Sequence, residues 1–452
     1  MIELIKNKMK KYYSLLLAFL FIISTSFIYH TGNKGAKNPN ISAISKKKNK
    51  YLDGMIFIPM GTFTTPSNNG YNATEKDSTL LLSYIKKQIS VQAFYLSKNE
   101  VTNSEYREFV RWAKNKMAHD ILVKQDSKYQ NKKGEYNQDI PIDWENEQLQ
   151  KALFSNQSEF NSKSFKVELL KYTVVIDGKS EQVDVFPDTL IWMAKNRYNK
   201  PLTDNYFWHP AYDYYPVVGV TWKQAQAYCQ WRTDRLNEEV LIAAKVLDSY
   251  SDNFSTTTFL KDSKNKEYQH LLYPSFRLPS ESEWEFAAMG AQNQDSKYVY
   301  PWKSSRLFNK KGKYYANFGP ITDINAVRIK NYIDDDGFHT IIVSNYEPNG
   351  LGLYDMAGNV AEWQNDKYSI ELETKQAIEV ESVNGKDQAA ISHAAKQHDA
   401  KIAKAQHPAR VVKGGSWADG PIYLQISTRT IMNENSSSMR VGFRIAMDYS
   451  KK

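Results

Sequence analysis

Three helix-start signals, set among short strand-like runs, constrain the fold of this chain more than any other feature of its sequence. In each signal a Ser or Thr precedes a Glu or Gln by three residues, so that the two side chains can satisfy free backbone N–H groups at the first turn of a helix. The signals are Thr102 to Glu105, Thr221 to Gln224 and Ser280 to Glu283. Since helices and strands do not alternate regularly, the pattern predicts a mixed α+β domain with irregular connections and disfavours a parallel βαβ architecture.

The residues around these signals have the periodicities of helices and strands. Apolar runs predict strands at Met55–Phe63 and Ile89–Leu96. Cys229, in the helix after the second signal, is expected to be a buried, small apolar side chain. One face of the first helix is predicted to carry Tyr106, Phe109, Val110 and Ala113.

Composition limits the classes of function. A chain of 452 residues with 41% apolar content can bury a large core, and the distribution of motifs favours one elaborated domain. The formal net charge of +9 is spread over many lysines, which gives only weak support for nucleic acid binding. The single cysteine excludes an internal disulfide framework and a thiolate metal cluster.

The first 29 residues resemble a targeting segment. Several lysines precede an apolar run from Leu15 to Ile28, which is the pattern of a secretory signal peptide. The run is shorter than the roughly 20 residues of a typical membrane span. Because no clear cleavage site follows, an N-terminal membrane anchor is the alternative to a cleaved signal peptide. Residues 30–50 are predicted to form a tether, and residues 51–449 the folded domain.

Eight motifs follow one another in an order that resembles the formylglycine-generating enzyme (sulfatase-modifying factor) family. The most specific is the segment Glu347–Trp363, which has the sequence EPNGLGLYDMAGNVAEW. The resemblance implies the C-type-lectin-like, loop-rich α+β fold of that family. The other seven motifs are Ile58–Gly61, Asn99–Thr102, Tyr215–Trp222, Phe276–Glu285, Tyr300–Trp302, Gly414–Trp417 and Val441–Arg444.

The chain has two insertions, at about residues 114–213 and 371–409, and the first of them indicates a subgroup of the family. The first is similar to the insertion of the GldK/PorK proteins of gliding-motility and type IX secretion machinery. That subgroup implies a non-catalytic structural subunit of an envelope ring, which associates with itself, with a GldN/PorN-like periplasmic protein and with other secretion components. It also implies that the chain is exported and lies at the periplasmic face of the outer membrane or is anchored in the cell envelope. The subgroup's proteins are typically lipoproteins, whereas no lipobox cysteine is present here, so anchoring by the N-terminal segment or by partners is open.

The end of the first insertion, Tyr206–Tyr215, is rich in aromatic residues. Exposed rings there would form a binding surface, because Tyr and Trp supply large contact areas at a low entropy cost. Buried rings would instead pack the insertion onto the core of the domain. The sequence is compatible with both arrangements.

The resemblance implies an enzyme fold without the enzyme's chemistry. Formylglycine-generating enzymes use a cysteine pair after a Gly-Gly-Ser segment to bind copper, and no cysteine follows Lys413–Trp417. Neither copper nor iron is therefore expected, and Ser416 lacks the turn pattern of a serine nucleophile. The alternatives are an oxygen-dependent modifying enzyme of the formylglycine-generating type and a lectin-like glycan binder. The second insertion contains three histidines that suit either a surface metal site or a solvated helix: His393, His398 and His407.

Two structural calcium sites are implied by the family resemblance. Calcium prefers hard oxygen ligands and accepts backbone carbonyls from irregular loops. The first set comprises the side chains of Asn317 and Asp336 and the carbonyls of Phe318 and Phe338, with Asp334 or Asp335 as substitutes for Asp336. The second set comprises the side chains of Asp355 and Glu362 and the carbonyls of Gly358 and Val360.

Overall fold

The computed structural model describes residues 49–64, 88–157, 162–193, 199–290, 298–321, 330–368 and 408–450. The helices are α1 (Asn103–Gln125), α2 (Glu147–Leu153), α3 (Lys200–Asn205), α4 (Trp222–Ala243), α5 (Thr256–Lys261) and α6 (Glu281–Ala288). The strands are β1 (Met55–Ile58), β2 (Gly61–Thr64), β3 (Gln88–Val91), β4 (Phe94–Ser97), β5 (Phe154–Gln157), β6 (Ser162–Phe165), β7 (Lys171–Ile176), β8 (Lys179–Asp184), β9 (Phe276–Arg277), β10 (Ala361–Lys367), β11 (Ala409–Lys413), β12 (Arg429–Asn433), β13 (Val441–Gly442) and β14 (Ala446–Asp448). Short 3-10 helices occupy Ser127–Tyr129, Val167–Leu169, Thr189–Trp192, Pro210–Tyr212, Ser263–Leu271 and Pro421–Leu424.

All three predicted helix-start signals form capping boxes, at the first residues of α1, α4 and α6. At α1, Glu105 N donates to Thr102 Oγ1 over 3.3 Å, and Thr102 N donates to Glu105 Oε2 over 2.9 Å. These bonds need only residues three apart, so the local sequence is sufficient to fix where the helices begin.

An aromatic core lies between α1 and α4. The four residues predicted on one face of α1 are all buried. Tyr106 of α1 stacks on Tyr228 of α4 with ring centroids 5.5 Å apart, and Phe109 lies 5.3 Å from Trp231. Cys229 is buried in the same helix, as predicted. The two long helices therefore bury their apolar faces against each other.

Two four-stranded sheets complete the central part of the domain. The first has the order β1-β4-β14-β9 and is antiparallel, so it joins residues from both ends of the domain. The second has the order β12-β11-β10-β13, in which β10 and β13 run parallel. The other strands form the hairpins β2-β3, β5-β6 and β7-β8.

The two predicted strand runs are each divided into two strands. Met55–Phe63 becomes β1 and β2, and Ile89–Leu96 becomes β3 and β4. β1 pairs with β4 in the first sheet, whereas β2 pairs with β3 in a separate hairpin. Pairing with a different sheet is a tertiary choice, which the apolar run itself does not contain.

The first insertion carries α2, the hairpins β5-β6 and β7-β8, and α3, and it packs against the core. The ring of Tyr172 lies 5.3 Å from that of Phe109, and Tyr106 Oη donates to the carbonyl of Val185 over 3.0 Å. The domain thus mixes helices and β-sheets, as predicted. The C-type-lectin-like form of the fold stays a prediction.

Several predicted segments lie outside the described residues. They are residues 1–29, residues 30–48 of the tether, and residues 371–407 of the second insertion, which include His393, His398 and His407. Among the helices of the described ranges, none has both the length and the apolar character required to cross a membrane.

Candidate functional site

The Gly-Gly-Ser turn is built around Ser416. Gly414 and Gly415 have φ of 91° and 66°, a left-handed conformation that glycine adopts without strain. A Cβ on Gly415 would lie 2.8 Å from the carbonyl oxygen of Tyr423. Ser416 is fully buried, and its Oγ donates to Asp419 Oδ2 over 2.5 Å. The hydroxyl of Ser416 is therefore bonded within the turn that it helps to close.

The only cysteine lies in α4. Burial raises the pKa of the Cys229 thiol to about 12, so the thiol stays protonated at neutral pH. A reactive or metal-binding cysteine acts as the thiolate. Cys229 is thus a packing residue.

The first predicted calcium set is only partly assembled. Asn317 is buried, its Nδ2 donates to the carbonyl of His339 over 2.7 Å, and its Oδ1 has no hydrogen-bond partner. Asp336 has φ of 74°, and its side chain is exposed, as is that of Phe338. Asp335 is the buried acid of this run, and its Oδ2 accepts from Phe318 N over 2.8 Å.

A lysine occupies the oxygen cluster of this first set. Lys330 Nζ lies 2.5 Å from the carbonyl oxygen of Phe318, 2.8 Å from Asp335 Oδ2 and 3.1 Å from the carbonyl oxygen of Asn331. The side chains of Lys330 and Asp335 are both fully buried. A divalent ion on the Phe318 carbonyl would meet this ammonium group, so the residues present do not fit calcium there.

The second predicted set lies around Asp355 and Glu362. Asp355 Oδ2 accepts from Ser344 N over 2.7 Å, while its Oδ1 is buried without a hydrogen-bond partner. Gly358 has φ of 77°, and a Cβ there would lie 2.2 Å from the carbonyl oxygen of Asn317. This close approach makes the two predicted sets neighbours.

Glu362 is held by Arg444. Its Oε2 and Oε1 accept from Arg444 Nε and Nη2, each over 2.7 Å, and Oε2 also accepts from Trp284 Nε1 over 2.8 Å. Val360, two residues earlier, is buried. Arg444 further donates to the carbonyl of Tyr354 over 2.9 Å, so one guanidinium joins the two carboxylate-bearing segments of the signature.

Glu100 adds a third buried carboxyl group. Burial, followed by the charge of Asp355, raises the pKa of Glu100 well above its usual value. Burial raises the pKa of Asp355 to about 6, and the charge of Glu362 adds to that increase. Arg444 lowers both values, but one guanidinium is shared among three carboxyls.

This excess of negative charge fits a cation or a bound proton. Glu100 Oε2 and Asp355 Oδ1 are both buried, and hydrogen bonding with the Glu100 side chain lowers the pKa of Asp355. Hard oxygen donors of this type suit calcium. Asp355 and the carbonyls of Gly358 and Val360 are the residues that would hold the ion, whereas both oxygens of Glu362 already bind Arg444.

The sequence predictions did not include Lys330, Glu100 or Arg444 among the site residues. Glu100 and Arg444 lie within two of the eight motifs, which was an available signal. Lys330 lies in an irregular segment 12 residues after Phe318, and no local pattern marks it.

Comparison with known proteins identifies the family. A model described as the sulfatase-modifying factor enzyme 1-like domain matches residues 41–449. The chain belongs to this family.

Relatives in this family carry names of both enzymes and inactive proteins. The chain is 29% identical over 243 residues to the formylglycine-generating enzyme of Thermomonospora curvata, covering 51% of this chain and 63% of that protein. It is 26% identical over 245 residues to the formylglycine-generating enzyme of Bos taurus, covering 52% and 44%. A protein named Inactive C-alpha-formylglycine-generating enzyme 2 of Bos taurus is 27% identical over 239 residues, covering 51% and 50%. The chain therefore spans about half the length of these two Bos taurus relatives.

Solved structures are similar over most of the chain but at low identity. The crystal structure of CarF covers 88% of this chain and 98% of its own, with a TM-score of 0.37 and 15% identity. PvdO from Pseudomonas aeruginosa covers 87% and 94%, with a TM-score of 0.38 and 13% identity.

Proposed function

We propose that this chain is a non-catalytic structural subunit of an envelope ring of the type IX secretion and gliding-motility machinery. In this role it is exported, lies at the periplasmic face of the outer membrane or is anchored in the envelope, and binds copies of itself and a GldN/PorN-like protein. The observation that carries the proposal is that the chain has the domain of the family, while its single cysteine is buried and protonated. No thiolate is therefore available for the copper chemistry of the formylglycine-generating enzymes.

An exposed apolar face supplies a surface for such contacts. It consists of Leu190, Tyr214, Tyr332, Ile333, Phe338 and Ile342, all exposed. Large apolar patches on a folded protein commonly mark interaction sites. This apolar face combines Leu190 of the first insertion with residues that follow the insertion in the domain.

Contacts link several residues of the apolar face to one another or to neighbouring residues. The rings of Tyr332 and Phe338 are 5.8 Å apart, and Val343 N, next to Ile342, donates to the carbonyl of Tyr214 over 2.9 Å. His339 contacts both Phe338 and Trp192, with ring centroids 4.5 Å and 5.5 Å away. Trp192 belongs to the same 3-10 helix as Leu190.

The aromatic segment Tyr206–Tyr215 contributes to both the core and the surface. Tyr206 and Phe207 are buried, whereas Trp208 and Tyr214 are exposed. Tyr206 Oη donates to the carbonyl of Pro216 over 2.6 Å, which fixes the end of the insertion. The buried rings hold the exposed ones in place, so a partner meets a preorganised surface.

The test is purification of the tagged full chain from envelopes in a gentle detergent, with partner identification by mass spectrometry and electron microscopy. We expect a large ring containing a periplasmic partner in stoichiometric amount. Ile333→Arg should release the partner or reduce the ring, because it places a charge in the apolar face. Met60→Arg is the matched control, since Met60 is 66% exposed and Ile333 is 68% exposed. Recovery of a free monomer that oxidises a cysteine peptide would instead support the enzyme, and retention on glycans the lectin-like binder.

A further inference from the structure

Lys330 is a fully buried cation with a complete set of acceptors. An ammonium group has three N–H donors. Nζ of Lys330 has three oxygens within hydrogen-bond distance, from Phe318, Asn331 and Asp335. The rings of Phe318 and Tyr314 lie 4.6 Å and 5.7 Å from Nζ, which adds cation–π attraction.

The backbone holds Lys330 at this point. Ile321 N donates to the carbonyl of Lys330 over 2.9 Å, and Lys330 N donates to the carbonyl of Ile321 over 3.1 Å. The lysine therefore joins the segment that ends at Ile321 to the segment that begins the acidic run. Its ammonium group reaches back to Phe318 and forward to Asp335, so it ties two irregular loops together.

These three oxygens are of the kinds that bind calcium in irregular loops. The ligands are one carboxylate and two backbone carbonyls, and calcium uses such mixed oxygen donors. Two other members of the first predicted set, Asp336 and Asn317, are placed differently. The carboxylate of Asp336 is exposed, and a Cβ on Gly337 would lie only 2.9 Å from Asn317 Oδ1.

We propose that the Lys330 ammonium group takes the place of calcium at the first predicted site, so that residues 314–321 and 330–340 keep their structure without a metal ion. The positive charge that holds these loops together is covalently attached to the chain. It is therefore present at every calcium concentration.

Hydrogen exchange with mass spectrometry on the purified full chain tests this proposal. For the wild-type protein we expect the same protection in residues 314–321 and 330–340 in EDTA and in millimolar calcium. Lys330→Ala should raise exchange in both segments by about a hundredfold or more in EDTA, because it leaves a buried carboxylate without its partner. Adding millimolar calcium to Lys330→Ala should restore protection, since the oxygens of Phe318 and Asp335 are then free to bind it.

Lys367→Ala is the matched control. Lys367 also pairs with an aspartate, Asp177, but both side chains are exposed. This variant should leave exchange in the two segments unchanged, because exposed ion pairs contribute little to stability. A large calcium-dependent gain of protection in these segments of the wild-type protein would overturn the proposal. So would wild-type protection in Lys330→Ala in EDTA, and the wild-type comparison decides the matter even where Lys330→Ala does not fold.

Discussion

Replacing Arg444 by Met should destabilise the domain far more than replacing Glu362 by Gln, although the two residues form one ion pair. Arg444 is fully buried and serves Glu362 while also interacting with Glu100 and Asp355. Without it, the buried carboxyls have no counter-charge. With Glu362→Gln, the guanidinium keeps its interactions with Glu100 and Asp355, so the two remaining carboxyls still have a counter-charge.

The expected magnitudes follow from the contacts. Breaking a buried ion pair by removing one partner costs about 3–5 kcal/mol. Arg444→Met also leaves the carbonyls of Ser97 and Tyr354 without its donors, each worth about 1 kcal/mol. We therefore expect a loss of about 5 kcal/mol or more in the free energy of unfolding. Glu362→Gln loses charge-assisted hydrogen bonds and should cost about 1–3 kcal/mol.

Urea unfolding followed by tryptophan fluorescence measures both values, with EDTA present so that calcium does not contribute. Because a domain of this type is stable by about 5–15 kcal/mol, Arg444→Met is expected near the limit of folding. Arg440→Met is the control, since Arg440 is half exposed and lies 3.7 Å from Asp419. Equal losses for Arg444→Met and Glu362→Gln, or a larger loss for Glu362→Gln, would refute the idea that one guanidinium serves all three carboxyls.

Three further measurements probe other parts of the structure. Burial raises the pKa of Glu238 from 4.5 to about 7, so the folded state binds more protons than the unfolded state between these values. The stability that Glu238 contributes is present below pH 4.5 and is lost as pH rises through 7. In urea titrations, Glu238→Gln should therefore gain stability relative to wild type as pH rises over that range. A difference in the free energy of unfolding between the two proteins that does not change with pH would contradict the raised pKa of Glu238. Gly358→Ala should cost about 3 kcal/mol or more, because its Cβ would lie 2.2 Å from Asn317 O, and a thermal unfolding midpoint close to that of wild type would disprove this close approach. Calcium at about 100 times its dissociation constant should add about 2.7 kcal/mol to the free energy of unfolding, an increase that Asp355→Asn should abolish; calorimetry with no calcium response in the wild-type protein would exclude an ion at Asp355.

Local signals in the sequence predicted local structure well. The three capping boxes formed at the predicted residues because each depends on groups three residues apart. The apolar face of α1 and the burial of Cys229 followed from helical periodicity for the same reason. Strand pairing could not be predicted from the local sequence in the same way. β1 and β2 are nearly continuous in sequence, yet they belong to different sheets.

The sequence gathered some residues of the candidate site, although their role as calcium ligands stays a prediction. Asp355, Gly358 and Glu362 share one short signature, and the fold brings Gly358 of this signature against the carbonyl oxygen of Asn317. The first calcium set was transferred by family resemblance, which lists the ligands but not the neighbours that compete for them. Asp335, whose side chain is buried, faces the oxygen cluster, whereas Asp336 is exposed one residue later.

The sequence by itself determined the membership of the family, the starts of the long helices and the lack of a second cysteine, because each is fixed by residue type and short spacing. Only the tertiary structure decided which charges meet. Arg444 reaches Glu362 across 82 residues, and Asn359 binds Glu100 across 259. Electrostatic interactions in a buried cluster depend on distance and on exclusion of water, and chain folding sets both. For that reason the lysine at Phe318 and the shared guanidinium became visible only in three dimensions.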